Sequence, residues 1–410
     1  MSNVNLSKVN NWLHVVNKLP YLTSLYLYSC NLLNIFSVPL VNSSTSFDVL
    51  NLSNNNLTSS SSVLKWLFNS NTSVVGLDFS RNPFQGLIPD AFSKINSLEL
   101  LILDDNEFEG GIPKSFSGMC NLKTLSLSRN NLSEQLLGIV HNLTRCANHS
   151  IEKLYLDYNN IMGSFPDLTT FSSLRVLWLS DNQLSGTIPE SLGKQSNLES
   201  LYIGGNPFEG VISEAHFSKL TKLKVFQIYN SSLVFNFSSN WVPPFQLKQL
   251  YLVSCQLGFG LPKWLQTQKS YYWLDLSNST ILDSLSNSYW IFPNKKFYMN
   301  LSNNQISGHI PNLSLGSSFG SIIDLSSNEL KGEIPSFVFR GVHLDLSKNM
   351  LSELAFSLCA ANNNSLRFLD LSNNRLSGEL PDCWMHFEGL KILKLENNNF
   401  HGKIQAQWAL

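Results

Sequence analysis

Residues Leu174–Pro189 read LRVLWLSDNQLSGTIP, and this stretch predicts how the whole chain folds. Leu177 and Leu179 flank Trp178, so the alternation expected of a strand points both leucines to one side and the tryptophan to the other. Asn182 follows where the chain leaves the strand. Its amide can both donate to and accept from backbone groups that would otherwise be buried unpaired. The stretch therefore predicts a short strand followed by an inward turn.

The same spacing recurs along the chain as Leu-x-x-Leu-x-Leu-x-x-Asn-x-Leu, the pattern of a leucine-rich repeat, in which each unit is a strand plus a return segment. Numbered from its first leucine, a repeat has core residues at positions 1, 4, 6 and 11. Position 9 is asparagine in twelve repeats and cysteine or serine in the others. Sixteen repeats of 21 to 29 residues start at Leu22, Phe47, Val74, Leu98, Leu122, Ile151, Leu174, Leu198, Leu223, Leu247, Tyr271, Lys296, Gly320, Gly341, Leu366 and Leu390.

The predicted fold is an α/β solenoid, a leucine-rich-repeat horseshoe or superhelix of about 16 repeats. A parallel β-sheet forms its concave face, and short 3-10 or loop segments form its convex face. Residues 1–21 are predicted to be the outer half of a partial repeat. Residues 22–410 are predicted to be the repeat array, uncapped at both ends. The extra residues of the longer repeats are expected in outer loops, as at 131–150 and 280–295.

A second pattern, Gly-x-Ile/Leu/Phe-Pro, follows the strand in several repeats, as at Gly186–Pro189. Glycine permits an unusual backbone angle and proline fixes the one that follows, which directs a short extended segment away from the main strand. The pattern therefore predicts a lateral face, and this face is a second candidate binding surface, where a co-receptor could dock.

Composition excludes several classes of function. The net charge is −1 and only 14% of residues are charged, so no basic footprint for nucleic acid or an anionic membrane is present. No run of about 20 apolar residues could span a membrane, and the N-terminal stretch is not a signal peptide. The eight histidines are scattered, and no acid is paired with a base for a reaction. We expect a non-enzymatic chain without cofactor or metal.

Fourteen Asn-x-Ser/Thr sequons suggest an exported, glycosylated surface, although a sequence rich in asparagine and serine also yields sequons by chance. Several of them lie inside the repeat motif. The candidate glycosylation sites are Asn42, Asn71, Asn142, Asn148, Asn236 and Asn312.

The six cysteines divide by their place in the repeat. Cys30 and Cys255 occupy position 9, where we expect buried, reduced thiols. The other four come from pairs of adjacent repeats, whose equivalent sites stack about 5 Å apart, within the Cα separation that a disulfide needs. No Cys-x-x-Cys spacing or nearby histidine supports metal ligation instead. The predicted disulfides are Cys359 with Cys383 and Cys120 with Cys146. Cys120 and Cys146 lie two and five residues before the next repeat start, and the longer repeat from Leu122 could absorb this difference.

The concave face carries the candidate ligand-binding site. Strand positions 5, 7 and 8 project onto this face and are small or polar in most repeats. Five consecutive repeats depart from that rule, and their side chains should line up as an aromatic column with flanking acids. Aromatic residues on exposed faces are typical of interface hot spots, although a ring ladder can also serve only to pack the sheet. The candidate residues are Tyr155, Asp157, Tyr158, Trp178, Asp181, Tyr202, Gln227, Tyr229 and Tyr251.

A family resemblance rests on three segments and on LSGxIP following LxLSxN, which looks like the plant extracellular subtype of the repeat. WLHVVNKLPYLTSLYLYSCNL, LVSCQLGFGLPKWLQTQ and LSGELPDCWMHFEGLKILKLENNNFHGKI resemble plant leucine-rich-repeat receptor-like proteins of the xylanase-receptor-like group. The resemblance implies an internal portion of an ectodomain at the extracellular face of the plasma membrane. It also implies that the membrane helix and signal peptide lie outside this chain.

The same resemblance implies a function in defence. Such a receptor binds a protein or peptide ligand, here of pathogen origin, and signals through an adaptor receptor kinase and a co-receptor kinase. The alternatives are a secreted inhibitor of microbial wall-degrading enzymes, similar to the polygalacturonase inhibitors, and a non-functional truncated receptor fragment. Sixteen repeats and an acidic-aromatic column disfavour the inhibitor, which has about ten repeats and typically a cationic inner face.

Overall fold

The computed structural model describes residues 2–9, 11–19, 21–34, 47–69, 73–258, 260–284, 297–311, 321–354, 358, 365–380, 383–384 and 387–402. They divide into two compact units. The first comprises Met1–Glu209 with Lys219–Lys222, and the second comprises Gly210–Ser218 with Leu223–Leu410. Each unit is built on eight parallel inner strands, one for every repeat.

The inner strands of the first unit are three residues long, and each begins two residues after a predicted repeat start. Neighbouring strands pair in register, so that Leu154, Leu177 and Leu201 lie side by side in the core. The predicted repeat register is therefore confirmed. These strands are Ser24–Tyr26, Val49–Asn51, Gly76–Asp78, Leu100–Ile102, Thr124–Ser126, Lys153–Tyr155, Val176–Trp178 and Ser200–Tyr202.

The second unit repeats the same arrangement, with two longer strands at its start. Its strands also begin two residues after the predicted repeat starts. They are Val225–Tyr229, Gln249–Val253, Trp273–Asp275, Tyr298–Asn300, Ile322–Asp324, His343–Asp345, Phe368–Asp370 and Ile392–Lys394. The leucine-rich-repeat solenoid predicted from the sequence is thus the observed fold.

Short lateral strands follow the inner strands, as the glycine–proline pattern predicts. Gly186 has a φ of +78°, which an L-amino acid with a side chain rarely adopts, and it directly follows the lateral strand Gln183–Leu184 and Ser185. In the first unit the lateral strands are Gln85–Leu87, Glu107–Gly110, Asn131–Leu132, Met162–Gly163 and Gln183–Leu184. The others are Glu209–Ile212, Ser232–Phe235, Ser307–His309, Glu329–Ile334, Met350–Leu354, Ser377–Glu379 and Asn399–His401.

The return segments contain short helices. Most are 3-10 turns. Five of them begin directly after a proline: Asp90–Lys94, Lys114–Gly118, Glu190–Lys194, Lys263–Thr267 and Ser336–Arg340. A sixth, Glu214–Phe217, follows a serine. The α-helices are Trp12–Val16, Ser62–Asn69, Leu136–Leu143 and Ala147–Ser150. Each 3-10 turn places an apolar side chain, such as the fully buried Phe92 or Phe116, against the inner strands.

One expectation for the return segments was wrong. The extra residues at 131–150 were expected in a loop, but they form the helices Leu136–Leu143 and Ala147–Ser150. Leu136, Ile139, Val140 and Leu143 recur at helical spacing and are buried on one face, so the segment gains a core contact that a loop would lack. The other long segment, 280–295, lies mostly outside the described residues.

Position 9 builds a ladder of buried side chains beneath the strand ends. The Asn182 Nδ2 donates to three carbonyl oxygens, those of Leu156 in the preceding repeat and of Leu179 and Ser180 in its own, at 2.9, 3.1 and 3.2 Å. Its Oδ1 accepts from the Ile161 N–H at 2.9 Å. One amide thus bonds to backbone groups of two adjacent repeats, and without it the Ile161 N–H would be buried without a partner.

The other asparagines of the ladder make equivalent bonds. They are Asn55, Asn82, Asn106, Asn130, Asn159, Asn206, Asn304, Asn328, Asn349, Asn374 and Asn398.

The cysteines fill two different roles. Cys30 and Cys255 are buried thiols at position 9, and burial raises the pKa of the Cys255 thiol to about 12. Cys120 and Cys146 form a disulfide that closes a 26-residue separation, the pairing predicted for these two adjacent repeats. Cys383 is disulfide-bonded. Its predicted partner Cys359 lies outside the described residues, so that pairing stays a prediction.

Replacing Asn182 by alanine should lower the free energy of unfolding by about 1–3 kcal/mol, because the buried Ile161 N–H loses its acceptor and three carbonyls each lose one of two donors. Urea unfolding followed by circular dichroism measures this loss. Asn160→Ala is the matched control, since Asn160 is exposed and its amide oxygen accepts only one side-chain bond, from Gln183 at 3.3 Å. Equal effects of the two substitutions would contradict the role assigned to the ladder.

Replacing Cys120 or Cys146 by serine should lower the free energy of unfolding by about 3 kcal/mol, because the unfolded chain regains the freedom of a loop of that length. Each single substitution removes the same bond, so the double variant should lose no more than either single one. Thermal unfolding of the three variants under oxidising conditions measures this. A loss of stability in the double variant equal to the sum of the two single losses would contradict a shared bond.

Candidate functional site

The candidate site in the first unit begins with three aromatic rings at position 5 of adjacent strands. Strand pairing places Tyr155, Trp178 and Tyr202 side by side. The leucines that precede them point into the core with at most 2% exposure, so alternation turns the rings to the opposite face. The rings are half-buried. They are the part of the predicted aromatic column that the structure brings together in this unit.

The three rings contact one another in the geometry that aromatic pairs prefer. The Tyr155 and Trp178 ring centroids lie 4.7 Å apart with an interplanar angle of 88°, and those of Trp178 and Tyr202 lie 4.8 Å apart at 51°. Edge-to-face and tilted contacts of this kind stabilise a pair beyond the area it buries. The rings are therefore held in a fixed surface; we call Tyr155, Trp178 and Tyr202 the ring triad.

Two carboxylates flank the ring triad at position 7. Ser126 Oγ donates to both oxygens of Asp104 at 2.7 and 2.8 Å, and the Ser128 N–H donates to one of them at 2.8 Å. Ser128 Oγ donates to Asp157 at 2.5 Å, so one serine joins the two acids. Of the pair, only Asp157 was singled out from the sequence. Asp104 was missed because it lies two repeats before Asp157, outside the block of aromatic repeats.

Partial burial controls the titration of this acid pair. Desolvation raises the pKa of Asp104 to about 6, against the hydrogen bonds from Ser126 and Ser128, and the nearby charges of Asp157 and Asp105 raise it further. Desolvation likewise raises the pKa of Asp157. The pKa of the Tyr155 hydroxyl is raised by burial first and then by the charges of Asp104 and Asp157. The acids therefore act electrostatically on the ring triad.

The remaining predicted residues of this unit form the rim. Tyr158 is 44% exposed, and the Arg129 guanidinium lies over its ring at 4.1 Å from the centroid. Arg129 Nε is also 3.9 Å from Asp105, an exposed ion pair of small energy. Burial and the charge of Asp181 raise the pKa of Tyr158. The rim thus presents an aromatic ring already contacted by a cation.

In the second unit the predicted residues join a different ring cluster. Tyr251 contacts Trp273 at 5.6 Å, and Trp273 stacks on Tyr298 at 4.0 Å with an interplanar angle of 16°. Gln227 pairs in register with Tyr251, while Tyr229 lies opposite Val253, whose side chain is aliphatic. Trp273 and Tyr298 were missed because both occupy position 3, whereas the sequence reasoning followed position 5. The same position holds His343 and Phe368, which stack at 4.1 Å.

Two polar atoms beside the ring triad lack hydrogen-bond partners among the described residues. They are Trp178 Nε1 and Ser180 Oγ, both shielded from solvent. Ser180 occupies position 7 of its repeat, the position that Asp157 occupies in the preceding repeat, and it is 6% exposed. A buried hydroxyl without a partner costs about 1–3 kcal/mol. The surface beside the ring triad therefore carries unused hydrogen-bonding capacity.

Comparison with known proteins identifies the family. The Leucine Rich Repeat family model matches residues 73–95, 97–119, 121–143, 173–195 and 365–387. Receptor-like protein EIX2 of Solanum lycopersicum is 34% identical to this chain, over 94% of this chain and 45% of that protein. The chain belongs to the plant leucine-rich-repeat receptor-like proteins. It spans less than half the length of this relative.

Solved structures resemble this receptor-like chain along most of its length. A TDR receptor is 27% identical with a TM-score of 0.76, and the match covers 98% of this chain and 75% of that one. The ectodomain of the Arabidopsis receptor kinase HAESA, in complex with an extended IDA peptide hormone ligand, is 23% identical with a TM-score of 0.63. That match covers 87% of this chain and 67% of the HAESA chain, and it bears on the fold alone.

The lateral face of the receptor-like chain carries an open groove of about 530 Å³. Gly111 and Glu134 line the groove, and a Cβ on Gly111 would collide with the Glu134 side chain, so glycine lets this side chain lie against the backbone. Leu87 lines it and is 72% exposed. The groove lies on the surface predicted as the second candidate binding face, which stays a prediction. Its other lining residues are Ile88, Asp90, Gly110, Ile112, Pro113, Lys114 and Ser133.

Two of the predicted glycosylation sites do not fit the structure. Asn142 and Asn148 are 8% and 2% exposed, and their Nδ2 atoms donate to the carbonyls of Ile112 and Thr170 at 2.9 and 3.2 Å. A glycan on either amide has no room in the folded chain, so these two predictions are wrong. Asn236 is exposed. Its use stays a prediction, and the remaining candidates Asn42, Asn71 and Asn312 lie outside the described residues.

Within the described ranges, no three His, Cys, Asp or Glu residues are grouped so that they could hold a metal ion. The described helices are also too short or too polar to cross a membrane.

Replacing Asp104 by asparagine should flatten the pH dependence of stability. The folded-state pKa of about 6 lies above the ordinary value of 3.8, so protonation favours the folded chain. This contribution is complete below pH 3.8 and is lost as the pH rises through 6. Thermal unfolding from pH 4 to pH 7 should therefore show a smaller fall of the midpoint in Asp104→Asn than in the unaltered chain.

Asp167→Asn is the control of opposite sign. The Thr169 N–H lowers the pKa of the exposed Asp167 carboxylate, whose contribution to stability is lost as the pH falls. An unchanged pH dependence in Asp104→Asn would contradict the titration assigned to it.

Proposed function

We propose that this chain is the ligand-recognition part of a plant cell-surface receptor-like protein. It binds a protein or peptide ligand of pathogen origin through the ring triad and its flanking residues. It signals in defence through partner receptor kinases, an adaptor and a co-receptor, and it acts by binding rather than by catalysis. Attachment to the membrane would come from a segment outside the described residues.

The observation that carries the proposal is the ring triad itself. Three large rings occupy position 5 of adjacent repeats, whereas Asp, Asn or Ser occupies this position in eight of the sixteen repeats. The three rings remain half-buried rather than covered. Tyrosine and tryptophan supply large contact areas with few rotatable bonds, so little entropy is lost when a ligand orders them. Rings in mutual contact are already ordered, which further favours binding.

The relatives support the cell-surface assignment. Two relatives from Solanum lycopersicum are named as receptor-like proteins, and the HAESA ectodomain, which shares the fold, was solved with a peptide hormone ligand. A long parallel sheet presents side chains in fixed rows, so that one fold suits many ligands through substitutions at positions 3, 5, 7 and 8.

The test is to pan a library of random twelve-residue peptides on the immobilised full chain and on a Trp178→Ala/Tyr202→Ala variant. We expect a shared motif to be enriched on the unaltered chain. A peptide carrying that motif should bind the variant about thirtyfold more weakly or worse, because removal of an aromatic hot spot costs about 2 kcal/mol or more.

The matched control is Tyr21→Ala/Tyr272→Ala, which removes two exposed aromatic rings, 94% and 42% exposed, that are outside the ring triad. This variant should retain binding, and circular dichroism should be unchanged in both. Enrichment of no motif, or of the same motif with equal affinity on the Trp178→Ala/Tyr202→Ala variant, would overturn the proposal.

A further inference from the structure

The concave face beside the ring triad carries an excess of negative charge. Positions 3, 5, 7 and 8 of the five repeats starting at Leu98 to Leu198 hold four carboxylates and two cations, the Lys153 ammonium and the Arg129 guanidinium. That guanidinium is occupied by the Tyr158 ring and by Asp105. The field over this part of the face is therefore negative, although the chain as a whole has a net charge of only −1. The four carboxylates are Asp104, Asp105, Asp157 and Asp181.

Asp104 accepts hydrogen bonds but has no cation beside it in the part of the chain that the structure describes. Its hydrogen bonds come from the Ser126 hydroxyl and the Ser128 N–H, and no lysine or arginine of the described residues lies within ion-pair distance. A half-buried carboxylate without a cation is disfavoured in its charged form, and a ligand cation would remove that cost.

The Ser180 hydroxyl is a second, independent indication that a hydrogen-bonding group is missing from this surface. Its hydroxyl is at least nine-tenths buried, has no hydrogen-bond partner among the described residues and occupies position 7 beside Asp157. The next position 7 is Gly204, which has no side chain that could form a hydrogen bond with this hydroxyl. The hydroxyl can accept a hydrogen bond from a guanidinium, so the same ligand group that would serve the acids would also serve this atom.

We propose that this surface binds a peptide segment with two arginine or lysine side chains three residues apart, one cation at Asp104 and the other at Asp157 and Ser180. This inference rests on the proposed function and names the chemical class of its ligand. Asp104 and Asp157 lie two strands apart, about 10 Å. A peptide in the polyproline II conformation has three residues per turn and a rise of about 3.1 Å per residue, so side chains three residues apart share a face and are separated by about 9 Å. The ring triad then contacts the adjoining part of the peptide by cation–π and apolar contacts.

Fluorescence polarisation with the full chain tests the proposal. The probe is a labelled nine-residue peptide, Gly-Ser-Arg-Gly-Ser-Arg-Ser-Gly-Ser, and its partner carries citrulline at both arginine positions, which keeps the shape and removes the charge. We expect the arginine peptide to bind at least tenfold more tightly than the citrulline peptide. Binding should weaken at least tenfold in an Asp104→Asn/Asp157→Asn variant.

Asp345→Asn is the control, because it removes a half-buried carboxylate at position 5 of an inner strand in the second unit. It should leave the affinity for the arginine peptide unchanged. Equal affinity for the two peptides, no binding of either, or an equal loss in Asp345→Asn would overturn the proposal.

Failure of this inference is distinguishable from failure of the proposed function. If panning enriches a motif that depends on Trp178 and Tyr202 but lacks basic residues, the recognition role stands and the cationic ligand is wrong. If no motif depends on the ring triad, the proposed function itself is wrong.

Discussion

The structure depends on how the backbone is satisfied where each strand turns inward. A repeat that turns after every strand buries carbonyls and N–H groups that can reach no other strand and no water. The asparagine at position 9 resolves this, since its Nδ2 donates to carbonyls of its own and the preceding repeat while its Oδ1 accepts from the preceding repeat. Cysteine or serine replaces it in four repeats, as at Ser279, whose hydroxyl donates to the Leu252 carbonyl and accepts from the Cys255 N–H.

Because the core and the ladder together stabilise the fold, the side chains of the concave face are not required for folding. The leucines at positions 4 and 6 supply the core, and the ladder supplies the polar satisfaction, so positions 3, 5, 7 and 8 can change without loss of the fold. In the first unit the change is a set of aromatic rings beside half-buried acids. In the second unit the rings shift to position 3, where Trp273 and Tyr298 stack. Both changes leave the strand bounds in register.

Repeat starts, strand register, ladder and lateral segments could be predicted because each rests on a local pattern that recurs along the chain. The exceptions share a cause. Residues 131–150 form helices and Asn142 is buried because their environment comes from neighbouring repeats rather than from their own sequence. Likewise, the contact of Asp104 with the candidate site needs the spatial adjacency of repeats that are separated by more than 50 residues.

The sequence by itself determined that every repeat would contribute one strand, one polar ladder position and one outward-facing set of side chains. Spacing carries that information, since a side chain two residues along a strand always returns to the same face. The tertiary structure alone decided which outward side chains touch. Ring orientation, the Ser128 link between Asp104 and Asp157, and the unmet hydroxyl of Ser180 depend on distances between strands, and no periodicity along one strand records them.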